Sequence, residues 1–287
     1  MLLLLLITIN SYAQEEDAWV YLEDKPNVAS ALANPISILT QKAIDRKGNH
    51  GVLIDARDVP VHEPYISDLK LQQGITVMAK SKWFNAVHVR GTEMDITSLL
   101  QLDYVNRIDF ADNSLDAESR SANHQSKTTV EDQSVIFTYG DTQNQVEMIN
   151  AHNLHLADYT GEGMTIAVMD SGFPNVDVMG AFQRLRDNND LLGGYDFVDR
   201  TSNVYAFSGN NHGTKVLSTM AGFIEDQFVG TAPDASYYLF RTEDVSSENP
   251  IEESYWVEAA ERADSLGVDI LNTSLGYKDY APNYPSY

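Results

Sequence analysis

Thr165-Ile166-Ala167-Val168-Met169-Asp170-Ser171-Gly172 is the stretch on which the reading of this sequence turns. A short apolar run behind a β-branched threonine predicts a strand buried on both faces, and Ser-Gly is turn chemistry that ends it. Asp170 therefore stands at the carboxyl end of a buried strand, where open parallel sheets collect binding and catalytic groups. Taken alone, Asp-Ser-Gly is equally a common turn.

Downstream the pattern alternates. Gly213 to Ala221 reads as a helix, Ser236 to Phe240 as a strand, Glu253 to Leu266 as a helix with Trp256, Val257, Ala260 and Ala263 on one side, and Val268 to Asn272 as a strand. Strands alternating with helices predict a parallel sheet covered on both faces. His212, the sole histidine after Asp170, heads the first of these helices with Asn211 as its expected N-cap. A histidine there, on the same sheet edge as a carboxylate, is placed as a general base; a capping or surface histidine would look the same. Asp269 to Gly276 is a strand running into Ser274-Leu275-Gly276. Such a strand end can pair with an extended peptide, although alone it is only a core strand.

Upstream, residues 18–111 read as a separate α+β unit. Ala18 to Leu22 is a strand, Pro35 opens a helix carrying Ile38, Leu39 and Ala43, and Val59-Pro60-Val61 is an edge strand. Tyr65 to Gln73 alternates apolar residues at Ile66, Leu69 and, less regularly, Leu71 until Gly74 stops it. Ile75 to Met78 and Ala86 to Val89 are strands, Met94 to Leu102 is a helix and Val105 to Phe110 a last strand. That order is the split β-α-β, ferredoxin-like motif. Residues 112–136 hold almost no large apolar side chain and are expected to form an exposed linker.

The 287 residues suffice for two domains, and 43% hydrophobic residues are normal for a buried core. With no cysteine, the chain has neither disulfides nor a thiolate zinc site nor a cysteine nucleophile. A formal charge of −23 argues against nucleic acid or anionic membrane as partner. Leu2 to Ile9 is apolar apart from Thr8, and Ser11 and Ala13 suit a signal-peptidase cut, so residues 1–13 are expected to be a signal peptide that exports the protein. This run is too short to span a bilayer. No zincin motif and no phosphate loop occur. Asp187-Asn188-Asn189-Asp190 is oxygen-rich, but Leu191 breaks the calcium-loop pattern, so calcium has no support and no cofactor is required.

Taken together, Thr165 to Gly172, His212 to Gly222 and Val268 to Gly276 resemble the three successive motifs of subtilisin-like serine peptidases, whose triad runs Asp, His, Ser along the chain. Gly194-Tyr195-Asp196-Phe197-Val198 and Gly230-Thr231-Ala232-Pro233 match the same family. The resemblance implies that residues 137–287 are part of an α/β subtilisin-like domain, with Asp170 the triad carboxylate, His212 the general base, and Ser274, Leu275 and Gly276 lining the primary specificity pocket. It also implies that residues 18–111 are a propeptide acting as an intramolecular inhibitor, with Ser81 to Val87 as its central hairpin. Protein or peptide substrates follow. The family's Gly-Thr-Ser is absent: Gly91-Thr92, Gly213-Thr214 and Gly230-Thr231 are each followed by another residue. The nucleophilic serine is accordingly expected beyond Tyr287, and the chain itself is expected to be inactive. A non-catalytic peptide-binding or peptidase-inhibitory protein is the alternative from a different class.

Overall fold

The computed structural model describes residues 14–112, 114–115, 137–246 and 248–277. The expected signal peptide at 1–13, and the expected linker apart from Asp112, Ser114 and Leu115, lie outside the described residues.

The N-terminal unit runs β1 (Glu15–Leu22), α1 (Val28–Ala33), α2 (Gln41–Asn49), α3 (Glu63–Leu69), β2 (Thr76–Ser81), β3 (Ala86–Thr92), α4 (Glu93–Ser98) and β4 (Val105–Phe110). Its antiparallel sheet has the order β2-β3-β1-β4, the split β-α-β topology read from the sequence. Strand alternation divides the side chains. Ala18, Val20 and Leu22 of β1, with Val87 and Val89 of β3, meet Ile66 and Leu69 of α3 and Ile96 of α4 in one core. Trp19, Ala79, Ala86 and His88 are buried on the opposite face.

Two local expectations fail here. Val59-Pro60-Val61 is not a strand, since Pro60 has no amide hydrogen for a ladder; Val59 and Val61 are buried all the same. The helix expected to open at Pro35 opens at Gln41. Pro35–Ser37 is a single 3-10 turn, and Thr40 caps α2 by accepting from the Ala43 N–H at 3.2 Å.

The C-terminal unit continues α5 (Gln143–Met148), α6 (Ala151–Leu156), β5 (Thr165–Asp170), α7 (Gln183–Asn188), β6 (Leu191–Asp196), α8 (His212–Ala221), β7 (Phe223–Ile224), β8 (Phe228–Val229), β9 (Ser236–Arg241), α9 (Ile251–Leu266) and β10 (Ile270–Thr273). A parallel sheet of order β10-β5-β9-β6 places β5, buried along its whole length, inside. Ile166, Val168, Tyr237 and Leu239 face Leu217 and Ala221 of α8. Ala167, Met169 and Phe240 face Tyr255, Ala259, Ala260 and Ala263 of α9. The sheet thus carries helices on both faces, the α/β layering that the alternation of strands and helices in the sequence predicts. Strand β6 carried no strand signal, because Gly193-Gly194 interrupts its apolar run. A Cβ on Gly194 would lie 1.9 Å from the Leu239 carbonyl oxygen, so the glycine is what lets β6 approach β9.

Helix α9 is shared by the two units. Glu261 on it accepts hydrogen bonds from the Ser81 hydroxyl and from the backbone N–H groups of Lys82 (2.8 Å) and Trp83 (3.0 Å). His88, fully buried, places Nδ1 2.6 Å from Ser254 Oγ and Nε2 2.9 Å from Asp17 Oδ1. Among the described residues no helix is long and apolar enough to cross a membrane.

Candidate active site

Strands β5, β9 and β6 end side by side on charged residues. Asp170 pairs in register with Arg241, and Arg241 with Asp196. Asp170 is fully buried, and the turn after it supplies donors: the Ser171 N–H lies 2.7 Å and the Ser171 hydroxyl 3.1 Å from Asp170 Oδ1. A buried carboxylate needs such partners to keep its charge.

His212 completes the group. Its Nδ1 lies 2.8 Å from Oδ1 and 3.0 Å from Oδ2 of Asp170, while the side chain remains 46% exposed. Among the described residues nothing hydrogen-bonds Nε2. With Nδ1–H directed at the carboxylate, Nε2 keeps a lone pair facing outward, which is the tautomer a general base needs. The expected cap is displaced by one residue: Asn211 makes no side-chain cap, and Asn210 Oδ1 accepts the His212 N–H at 2.8 Å.

Two glycines allow this contact. A Cβ on Gly213 would fall 2.6 Å from the Gly172 oxygen and 2.9 Å from Asp170 Cβ. One on Gly172 would fall 2.5 Å from the Asn210 oxygen. The exit of β5 and the entry of α8 are therefore in backbone contact, locked further by Thr214 Oγ1 donating to the Pro174 carbonyl at 3.0 Å.

Ser274, Leu275 and Gly276 leave β10 at the end of the sheet where Asp170 stands, since Thr273 is beside Met169. Ser274 is exposed and holds Asn272 Oδ1 at 3.3 Å. Leu275 lines a hollow of about 470 Å³ with Trp256, Val257 and Tyr277. Among the described residues no hydrogen bond joins these three to Asp170 or His212. Two nearby serine hydroxyls are already engaged: that of Ser171 donates to Asp170, and that of Ser218 donates to the Lys215 carbonyl at 2.7 Å.

Sequence reasoning missed Arg241. Its guanidinium, 2% exposed, binds Asp196 at 2.9 Å and Asp199 at 2.7 Å and lies 3.5 Å over the Phe207 ring. Phe207 in turn packs at Gly172 and Gly209, within the segment that delivers His212. The signal was present, because Arg241 ends an apolar strand as Asp170 does. Also missed were Glu243 and Glu252. Burial pushes Glu252 up to about 8, helped by the Glu243 carboxylate, and burial also raises Glu243, with Asp170 adding to it. The oxygen-rich Asp187 to Asp190 closes α7, with Asn189 as a left-handed C-cap and Asp190 Oδ1 accepting the Ser236 hydroxyl at 2.6 Å. Among the described residues no cluster of three or more acidic or histidine side chains could hold a metal ion.

Comparison with known proteins yields two family matches: "Peptidase S8 propeptide domain, Bacteroidota" over residues 17–129 and "Subtilase family" over residues 161–287. Subtilisin E of Bacillus subtilis is 32% identical over 132 residues, 46% of this chain and 32% of that protein. The minor extracellular protease Vpr of the same species is 30% identical over 135 residues, 45% of this chain and 16% of that protein. The match with Subtilisin E thus spans about a third of that relative's length. Among solved structures, fervidolysin from Fervidobacterium pennivorans, described as a keratinolytic enzyme related to subtilisin, is 15% identical with a TM-score of 0.48 and covers 92% of this chain and 36% of that one. The epidermin leader peptide processing serine protease of Staphylococcus aureus is 13% identical with a TM-score of 0.49 and covers 91% and 50% respectively.

Proposed function

We propose that this chain is part of an exported serine endopeptidase of the subtilase kind, made as a precursor; the matches of residues 161–287 to the subtilase family and of residues 17–129 to an S8 propeptide domain support this reading. The observation that carries the proposal is the contact of His212 Nδ1 with the buried Asp170 carboxylate. In this reading His212 Nε2 takes the proton of a serine hydroxyl as its oxygen attacks the scissile carbonyl, and later returns it to the leaving amine. Asp170 holds the tautomer and stabilises the imidazolium. The backbone at Ser274 to Gly276 pairs with the extended substrate. The nucleophilic serine is assigned outside these 287 residues, so the chain by itself hydrolyses no peptide bond. The N-terminal unit acts as the intramolecular inhibitor, and removal of residues 1–13 accompanies export. No cofactor enters the chemistry.

The test is made in a protein carrying this chain together with the remainder of the family domain. Asp170→Asn should lower kcat by about 10⁴-fold on casein, with His212→Ala comparably damaging. Turnover near normal in either variant removes that residue from the triad. A complete protein that hydrolyses nothing would favour a peptide-binding or inhibitory role.

A further inference from the structure

A split β-α-β sheet needs one helix in each crossover, and α3 and α4 meet that need. Residues 23–62, between β1 and α3, are additional. They supply only Val61 to the core beneath the N-terminal sheet, so packing of that unit does not explain them.

The ends of the segment are tied to its own unit, with Asp24 accepting from the Tyr65 hydroxyl and Lys25 Nζ donating to the Lys82 carbonyl, but the polar contacts of its middle, Thr40 to Lys47, reach the other unit. Thr40 N–H donates to the Ser265 carbonyl at 3.0 Å, and Lys42 Nζ reaches Asp269 Oδ2 at 2.9 Å and the Thr165 hydroxyl. Asp264 on the last turn of α9 receives Arg46, then Lys47 at 3.2 Å and Lys82 at 3.7 Å, so three cations of the N-terminal unit converge on one carboxylate. Backbone fit accompanies the charge. Gly267 caps α9 at φ +79°, and a Cβ there would lie 2.6 Å from Ala43 N, so the start of α2 is seated on that glycine. All these groups surround the corner joining α9 to β10 and the first residue of β5. Asp170 is at the other end of β5, roughly 16 Å away at the rise of a strand.

We infer that residues 23–62, through Thr40 to Lys47, form a latch on the α9–β10 corner, a second attachment separate from the cleft, and that this attachment sets how slowly the N-terminal unit leaves once the chain between the units is cut. The inference rests on the inhibitory role proposed above. Its occupant is this chain's own corner, recognised by cations around Asp264 and Asp269 and by a seat that admits no side chain at Gly267. Because the latch grips far from Asp170 and His212, it holds whether or not the cleft is filled.

The test uses the whole 287-residue chain with a specific protease site placed within residues 116–136. After cutting, dissociation of the two pieces is followed by size exclusion and by release from an immobilised C-terminal piece. The pieces should co-elute. Asp264→Asn, and separately the pair Lys42→Ala with Arg46→Ala, should raise the release rate at least tenfold. Lys42→Asp should do likewise, and adding Asp269→Lys should restore slow release. A cut wild-type chain that separates at once overturns the latch. So does unchanged release in Asp264→Asn, or a charge exchange that restores nothing. No step of this measurement requires peptidase activity, so it fails or succeeds independently of the catalytic assignment.

Discussion

Arg241 shows how one side chain can serve a site without touching its chemistry. The guanidinium satisfies the buried Asp196 carboxylate, and its flat face supports Phe207 in the segment leading to His212. Removing one partner of a buried ion pair leaves the other charge uncompensated, at about 3–5 kcal/mol. Arg241→Met should therefore destabilise the fold by that order, read as the urea midpoint of the chain. Arg241→Lys keeps the charge but loses the planar stack, and in the complete protein it should lower kcat while leaving KM nearly unchanged. If instead Arg241→Lys raises KM alone, Arg241 bears on substrate binding and not on the placement of His212.

At the scale of elements, α9 is the helix that both units share. It packs under the parallel sheet with its alanines and offers Glu261 to the turn between β2 and β3. Glu261→Ala would leave the Lys82 and Trp83 N–H groups and the Ser81 hydroxyl without their acceptor, at about 1–3 kcal/mol for each buried group left unsatisfied. Amide exchange at Lys82 and Trp83 should accelerate by at least tenfold; unchanged protection would mean that this turn is held by something else. Elements of this kind were legible in the sequence where a period was clear. The apolar strand before Asp170, the alanine-bearing face of α9 and the strands from Ala18 and Ala86 all declared themselves. What stayed hidden was set by neighbours distant in sequence. Gly193-Gly194 reads as a break until the Leu239 carbonyl explains the close approach. Pro35 looks like a helix start until Thr40 proves the better cap. The nearness of Asp170 to His212 could be suspected from strand-end and helix-start positions, but the backbone contact that Gly172 and Gly213 allow could not.

For the whole molecule, Glu252 sets a pH dependence. Its Oε1 accepts the Asp244 N–H at 2.8 Å, while Oε2 is buried without a hydrogen-bond partner among the described residues. Burial first, and then the Glu243 carboxylate, raise this carboxyl to about 8 from the usual 4.5. The folded chain therefore binds this proton more tightly than the unfolded chain does. Its contribution to stability is complete below about pH 4.5 and is lost as pH rises through about 8. The Tm of the wild type should fall more steeply over that window than the Tm of Glu252→Gln; parallel curves would show that Glu252 ionises without strain. Asp264 carries a different consequence. Acidic residues outnumber basic ones in both units, so at long range the two bodies repel each other, while at close range three cations meet one carboxylate. Dissolved ions act on these forces at different distances. At about 0.1 M salt the Debye length is roughly 10 Å, which mutes repulsion between separated charges but weakens partly buried pairs much less. Attachment of the cut N-terminal piece should therefore strengthen on going from very dilute buffer to moderate ionic strength and loosen again only in concentrated salt, an optimum that Asp264→Asn should abolish.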